Sequence, residues 1–242
     1  MNFLELAKVF IVFFFLLYAC HLDLKSRIVP NRVWKLMLAF AFPFTALQIY
    51  EVSISSIILL PFAFFGSVFV FLLSYFLYRI NAYGGADAKA LMCLAVLFPF
   101  YPDLGLFPIL NNGFGIFAFS VLANSVIFAP LLMLVLLFRN LLVEGFLGFF
   151  RTPLYYIAGY RIPVEKIRFH NLFEFLDERG RLRRVRRAVE PSEEIISRLK
   201  ESGLKSIWVT PALPFIIFIT FGYSVALFIG DVLFFLIGLV LQ

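Results

Sequence analysis

Charge is scarce in this chain. Only 15% of its 242 residues are Asp, Glu, Lys or Arg, while 62% are hydrophobic. A soluble domain carries about 25% charged residues and about half apolar ones, so the composition places the chain in a membrane. Cysteine is scarce too. Cys20 and Cys93 are the only two, which excludes a disulfide framework and a four-cysteine zinc site. The only histidines are His21 and His170, and neither forms an HExxH pair. Zinc-dependent intramembrane proteolysis therefore finds no support, and neither does a Ser–His arrangement, which needs a histidine within a span.

What the chain has is long apolar runs. Six are candidate spans: Leu4–Leu22, Val33–Ile49, Ile54–Tyr78, Ala88–Leu110, Phe114–Phe138 and Ala212–Val240. Each crossing needs roughly 20 apolar residues. Pro99, Pro102, Asp103 and Pro108 interrupt the fourth run, so it is expected to be helical only to about Pro99 and irregular beyond. With six crossings, one face receives 20 of the 21 Lys and Arg residues, all but Lys8. The positive-inside rule makes that face cytoplasmic and puts both termini outside.

The same map sorts the acids. Outside the long basic loop there are six: Glu5, Asp23, Glu51, Asp87, Asp103 and Asp231. Four are expected at the outer ends of spans, Asp231 among them. Asp23 closes the first helix and Asp87 opens the fourth, so both fall at the cytoplasmic ends, at one depth. Two neighbouring carboxylates cannot both ionise readily and so share a proton. The ionised one can activate a water while the protonated one donates to a carbonyl oxygen or a leaving amine. Gly84 and Gly85, just before Asp87, allow close backbone approach and positive φ. The bland reading is that a lone Asp at a helix start is only a cap, and that Asp23 beside Lys25 and Arg27 is only a surface ion pair. The conjunction favours function: two acids at one depth, each followed two residues later by lysine, in "DLK" (Lys25) and "DAK" (Lys89).

The stretch "GGADAK" resembles the GxGD motif of intramembrane aspartyl proteases, and "HLDLKSRIVPN" resembles the first-aspartate segment of the type IV prepilin peptidases. The six-span layout, "LLFRNLL" at 136–142 and "IWVTPALPFI" at 207–216 are similar to the archaeal branch, the preflagellin (archaellin) peptidases. The resemblance implies that Asp23 and Asp87 are catalytic and that Gly84 is the motif glycine. The second motif glycine is replaced by Ala86, which loses easy access to positive φ. It further implies substrates with a short basic leader ahead of a hydrophobic helix, cleaved at the cytoplasmic surface, and no metal or organic cofactor. Bacterial relatives carry a four-cysteine insertion and N-methylate their product; lacking that insertion, this chain is not expected to do so. "LYAC" at 17–20, which ends in Cys20, is read as part of an ordinary first span rather than a lipidation site.

The expected fold is an all-α polytopic membrane protein with six transmembrane helices. Residues 1–138 form the membrane domain, 139–207 a small basic cytoplasmic subdomain, and 208–242 the sixth helix. "RNLLVEGFLGFFR" reads as an interfacial helix continuing the fifth span. "PSEEIISRLKESG" has a helix signature. Short strands are expected near Arg161–Phe169 and Leu182–Val189, giving the subdomain an α+β character. The basic run "RGRLRRVRRAVE" suits anionic lipid head groups better than nucleic acid. Glu174 and Asp177 are candidates for attracting the substrate's basic leader. A non-enzymatic alternative stays open: a transporter or assembly-platform protein in which Asp23 and Asp87 bind protons, cations or a partner. Against it, both acids sit at one face rather than near the midplane.

Overall fold

The computed structural model describes residues 3–80, 82–105, 109–110, 113–167, 170–177, 179–211 and 214–241. The chain divides into two compact units. One is Met1–Phe128 with Pro214–Gln242, the other Ala129–Leu213, and the division falls inside a helix.

The first unit is helical. It contains α1 (Phe3–Ser26), α2 (Asn31–Ser55), α3 (Leu59–Arg79), α4 (Gly85–Leu97), the first part of α5 (Phe117–Glu144), α9 (Ile216–Phe228) and α10 (Val232–Val240). Among the described residues, α1, α2, α3 and α5 are long and apolar enough to cross a membrane. The protein is therefore a membrane protein with four such helices, not the six expected. The two shortfalls have separate causes.

The first is α4, at 13 residues about 20 Å long. It stops where the prolines of the fourth run begin, and irregular chain continues from it. Phe98 and Leu104 of that continuation are buried in the core, and the Asp103 amide donates to Glu5 Oε2 at 3.3 Å. Glu5 lies in the first turn of α1 and Asp23 in its last, about 27 Å apart along the axis. Because Asp87 opens α4 within electrostatic reach of Asp23, the fourth segment covers the depth of α1 although only part of it is helix. Non-helical backbone at that depth must be buried in protein and satisfied. Thr45 Oγ1 donates to the Leu97 carbonyl at 2.8 Å, which covers a free C=O at the end of α4. Pro108, inside the expected fourth span, lies outside the described residues.

The second is the last apolar run, which is broken. After α9 the chain turns at Gly230 (φ 107), and Asp231 caps α10, its Oδ1 accepting from the Phe234 N–H at 3.1 Å. Ser120 Oγ donates to Asp231 Oδ2 at 2.7 Å. Asn124 bridges the break, donating to the Gly230 carbonyl at 2.9 Å and accepting from the Val232 amide at 3.0 Å. Asp231 is thus 1% exposed, a buried cap rather than a carboxylate facing water. Ala212, where the sixth span was expected to start, lies outside the described residues.

The second unit holds the remainder of α5, then α6 (Phe146–Arg151), α7 (Pro153–Ala158), β1 (Tyr160–Pro163), a 3₁₀ turn at Val164–Lys166, β2 (His170–Leu176), β3 (Leu182–Val189), α8 (Glu193–Glu201) and β4 (Ser206–Pro211). The strands form one antiparallel sheet in the order β1-β4-β2-β3. Leu172, Ile207 and Val209 of the sheet pack with Leu199 of α8. Ser192 caps α8, accepting from the Ile195 amide, and Gly203 ends it at φ 73. The interfacial helix expected to continue α5 is instead separated from it by Gly145 at φ 83. The expected strand near Arg161–Phe169 is the shorter β1; Phe169 lies outside the described residues. The "RN" of "LLFRNLL" is structural. Buried Asn140 donates to the carbonyls of Tyr156 (2.9 Å) and Gly159 (2.6 Å), and Arg139 in turn donates to Asn140 Oδ1.

Candidate active site

Asp23 owes its position to the end of α1. Arg27 adopts φ 58, a left-handed conformation rare for a residue with a Cβ. Its N–H donates to the Asp23 carbonyl at 2.9 Å, which closes the helix. The Asp23 carboxylate is nearly buried at 9% exposure, and the Arg27 cation lies within its electrostatic reach.

Asp87 sits in the first turn of α4, and half of the bland reading holds. Its Oδ2 accepts from the Gly84 N–H at 3.2 Å, the return bond of a helix cap. The Ile216 amide, the first of α9, also approaches the carboxylate. The second oxygen, Oδ1, is buried and makes no hydrogen bond of good geometry. The Gly84 bond to Oδ2 thus fixes the side chain at the start of α4. A carboxylate at the N-termini of two helices also sits in favourable backbone dipoles.

Of the two reasons expected for the glycines, close approach holds at Gly84 and positive φ does not. Gly84 has φ −67, and no positive φ occurs between residues 82 and 104. What Gly84 supplies is room: a Cβ there would lie 3.0 Å from Asp87 Oδ2. Gly85 is the first residue of α4 and Ala86 the second, both right-handed. Alanine at the second motif position is thus compatible with this backbone, and its methyl packs against the core.

The two motif lysines part company. Lys89 Nζ donates to Asn31 Oδ1, at the start of α2, at 2.8 Å. Lys25 is exposed at the end of α1 and makes no hydrogen bond or ion pair among the described residues.

Several neighbours were not singled out from sequence. Cys20, one turn before Asp23, lies within electrostatic reach of both carboxylates. Its thiol contacts Thr220 Oγ1 at 3.1 Å and the Ile216 carbonyl at 3.5 Å, which ties α1 to α9 and buries the sulfur in the core. Tyr83 stacks on Phe215 with ring centres 4.7 Å apart, and Asp87 lies within its electrostatic reach. The spacing of Cys20 from Asp23 was a readable signal, since residues three apart share a helix face. The pairings with Thr220 and Phe215 join distant sequence and had no local signal.

An apolar groove of about 620 Å³ is lined by Phe42, Phe64, Phe71, Val96 and Phe100, among others. Val96 follows Asp87 by about two and a half helical turns. The groove therefore lies on the face of α4 turned away from the carboxylate and is not part of the candidate site.

Glu174 and Asp177 do not have the role suggested for them. Glu174 is 3% exposed, bonded to Arg184 Nε at 2.9 Å and to the Trp208 amide at 3.1 Å. Asp177 accepts from the amides of Arg179 and Arg181 and from Arg183 Nε. Both carboxylates are committed within the second unit, so neither is free to draw in a basic leader.

Comparison with known proteins gives matches along most of the chain. Residues 10–138 match the family described as the type IV leader peptidase family, and residues 151–232 match the archaeal peptidase A24 C-terminus, type II. The chain is 30% identical over 228 residues to a preflagellin peptidase of Methanococcus maripaludis, covering 86% of this chain and 89% of the relative. It is 27% identical over 221 residues to a preflagellin peptidase of Methanocaldococcus jannaschii, covering 89% and 91%. It is also 28% identical over 129 residues to the prepilin peptidase EppA of Methanothermobacter thermautotrophicus, covering 51% and 33%.

Proposed function

The chain belongs to the type IV leader peptidase family, and from that premise we propose that it is an aspartyl endopeptidase of the GxGD type, with Asp23 and Asp87 as its catalytic pair. The observation that carries this reading is that two nearly buried carboxylates, from α1 and α4, lie within electrostatic reach of each other at one end of the first unit. Its substrates are precursors of the preflagellin or prepilin kind, cut between a short basic leader and a hydrophobic helix. The ionised carboxylate takes a proton from water as the oxygen attacks the scissile carbonyl. Its protonated partner donates to the carbonyl oxygen, and collapse of the intermediate delivers a proton to the leaving amine. The pair titrates as a unit, so neither residue is assigned acid or base alone.

The fourth segment and the broken last segment each complete a crossing, which gives six. Both termini then lie outside, and the part of the second unit that follows α5 lies in the cytoplasm. Strand β3 carries Arg183, Arg184, Arg186 and Arg187 at the edge of the sheet, and this surface rests on anionic lipid head groups.

The experiment is cleavage of a preflagellin precursor by purified full-length protein in detergent, with Asp23→Asn and Asp87→Asn beside the wild type. The reading expects cleavage at the leader boundary by wild type and none by either folded variant. Cleavage by either variant ends it.

A further inference from the structure

We infer that Lys89 and Asn31 form a clamp that sets the spacing of the two aspartate segments, which makes Lys89 a positioning residue for the reaction. The inference rests on the dyad reading above. Its basis is the 2.8 Å hydrogen bond from Lys89 Nζ to Asn31 Oδ1, which joins the fifth residue of α4 to the first residue of α2.

Each partner is tied to one aspartate by a short, stiff piece of chain. Lys89 follows Asp87 by two residues in the same helix. Asn31 is the first residue of α2, separated from the end of α1 by a tight connection. Arg27 closes α1 through its bond to the Asp23 carbonyl, in a left-handed conformation that the surrounding structure must hold in place. Pro30, with φ fixed at −61, then starts α2, and its carbonyl accepts from the Val33 amide at 3.0 Å. Asn31 thus reports the position of Asp23, and Lys89 that of Asp87.

The bond itself is exposed, and an exposed bond between two side chains contributes little to stability. Its importance lies in what it connects. A carboxylate pair that shares a water tolerates little error in its separation, because small misplacements of reacting groups cost large factors in rate. The core behind the pair holds α1, α4 and α9 together, whereas Lys89–Asn31 lies on the exposed side of the same helix ends. Sequence alone made Lys25 and Lys89 look equivalent; their different surroundings assign the task to Lys89.

The test measures kcat and KM for a preflagellin precursor with the full chain in detergent. The variants are Lys89→Ala, Asn31→Ala, the double variant, and the exchange Lys89→Asn with Asn31→Lys. Each single variant is expected to lower kcat about tenfold through displacement of the pair, with KM within about twofold. The double variant should be no worse than either single, and the exchange should regain most of the lost rate. Wild-type kcat in the singles, an effect on KM alone, or single effects that multiply in the double would overturn the clamp. If a single variant fails to fold, the exchange decides, and an inactive exchange counts against the clamp. Asp87→Asn runs alongside: if it still cleaves, the dyad reading has failed. If it is dead while the Lys89 variants match wild type, only the clamp has.

Discussion

The Asp103 amide donates to Glu5 Oε2 across 3.3 Å, which pins the irregular end of the fourth segment to the first turn of α1. Glu5 is also held from the other side. Gln48 Nε2 donates to its Oε1 at 2.6 Å, and Lys8 Nζ donates to Gln48 Oε1 at 2.6 Å. Lys8 is 1% exposed, with its ammonium 4.7 Å from the centre of the Phe98 ring. Three pieces of chain, α1, α2 and the continuation of the fourth segment, meet in this knot. Burying such groups is tolerable only because each finds a partner.

Gln48 is the one member that touches both charges. Gln48→Leu leaves Lys8 and Glu5 without their shared amide and is expected to destabilise the protein by about 1–3 kcal/mol. The carboxylates proposed as catalytic, Asp23 and Asp87, lie toward the other end of α1, so cleavage per folded molecule should be unchanged. Thermal unfolding in detergent together with active-site titration checks this. An unchanged midpoint would show that the two charges re-pair without help.

The two positions of the glycine motif should respond in opposite ways. Gly84→Ala places a Cβ 3.0 Å from Asp87 Oδ2, which pushes on the oxygen that orients the side chain, and cleavage should fall at least about tenfold. Ala86→Gly adds a glycine to a helical turn, costing about 0.5–1 kcal/mol of stability with no gain in rate. Steady-state cleavage of both variants is the measurement. A faster Ala86→Gly enzyme would mean that the motif needs a backbone conformation other than this one.

The turn between β2 and β3 should loosen in acid. The Arg181 amide, then the Arg179 amide and the Arg183 guanidinium, hold the Asp177 carboxyl below its ordinary pKa. A depressed folded pKa contributes stability that is fully present above the unfolded value, about 3.9, and is lost as pH falls through the folded one. Amide NMR of the turn between pH 6 and pH 2 should therefore report order above about pH 4 and loss of it below. Asp177→Asn should abolish that dependence. Loosening that instead begins as the pH rises from 4 would contradict the assignment.

How much of this was legible in the sequence depended on contrast. Asp23 and Asp87 stood out because charge is scarce in the spans, and depth arithmetic alone placed them at one level. Leu182–Val189 forms a strand with the expected bounds, and α8 begins and ends at its own punctuation, Ser192 and Gly203. The break in the last apolar run was marked by "GD" at 230–231, but hydropathy averages over such a pair and reads one long helix. Glu174 was misplaced because a charged residue in a polar loop is usually solvated; on a strand it can turn inward to meet a guanidinium and an amide. The role of Gly84 could be read only as two alternatives, close approach or positive φ. Positive φ is the usual reason for glycine, and only coordinates distinguish it from close approach.

The short fourth helix has a consequence for how the protein is made. Its irregular continuation is tied down by partners that arrive at different times. Thr45 and Glu5 have already left the ribosome when this segment emerges, but Tyr101 donates to the Ala226 carbonyl of α9 at 2.7 Å, and α9 is synthesised only after the whole of the second unit. A segment that cannot satisfy its own backbone is poorly suited to resting alone in lipid. Membrane assembly of this chain is therefore not a simple succession of finished spans. The fourth segment gains its last partner only when α9 docks, so a truncation before α9 should leave it unsettled and exposed to quality-control proteolysis.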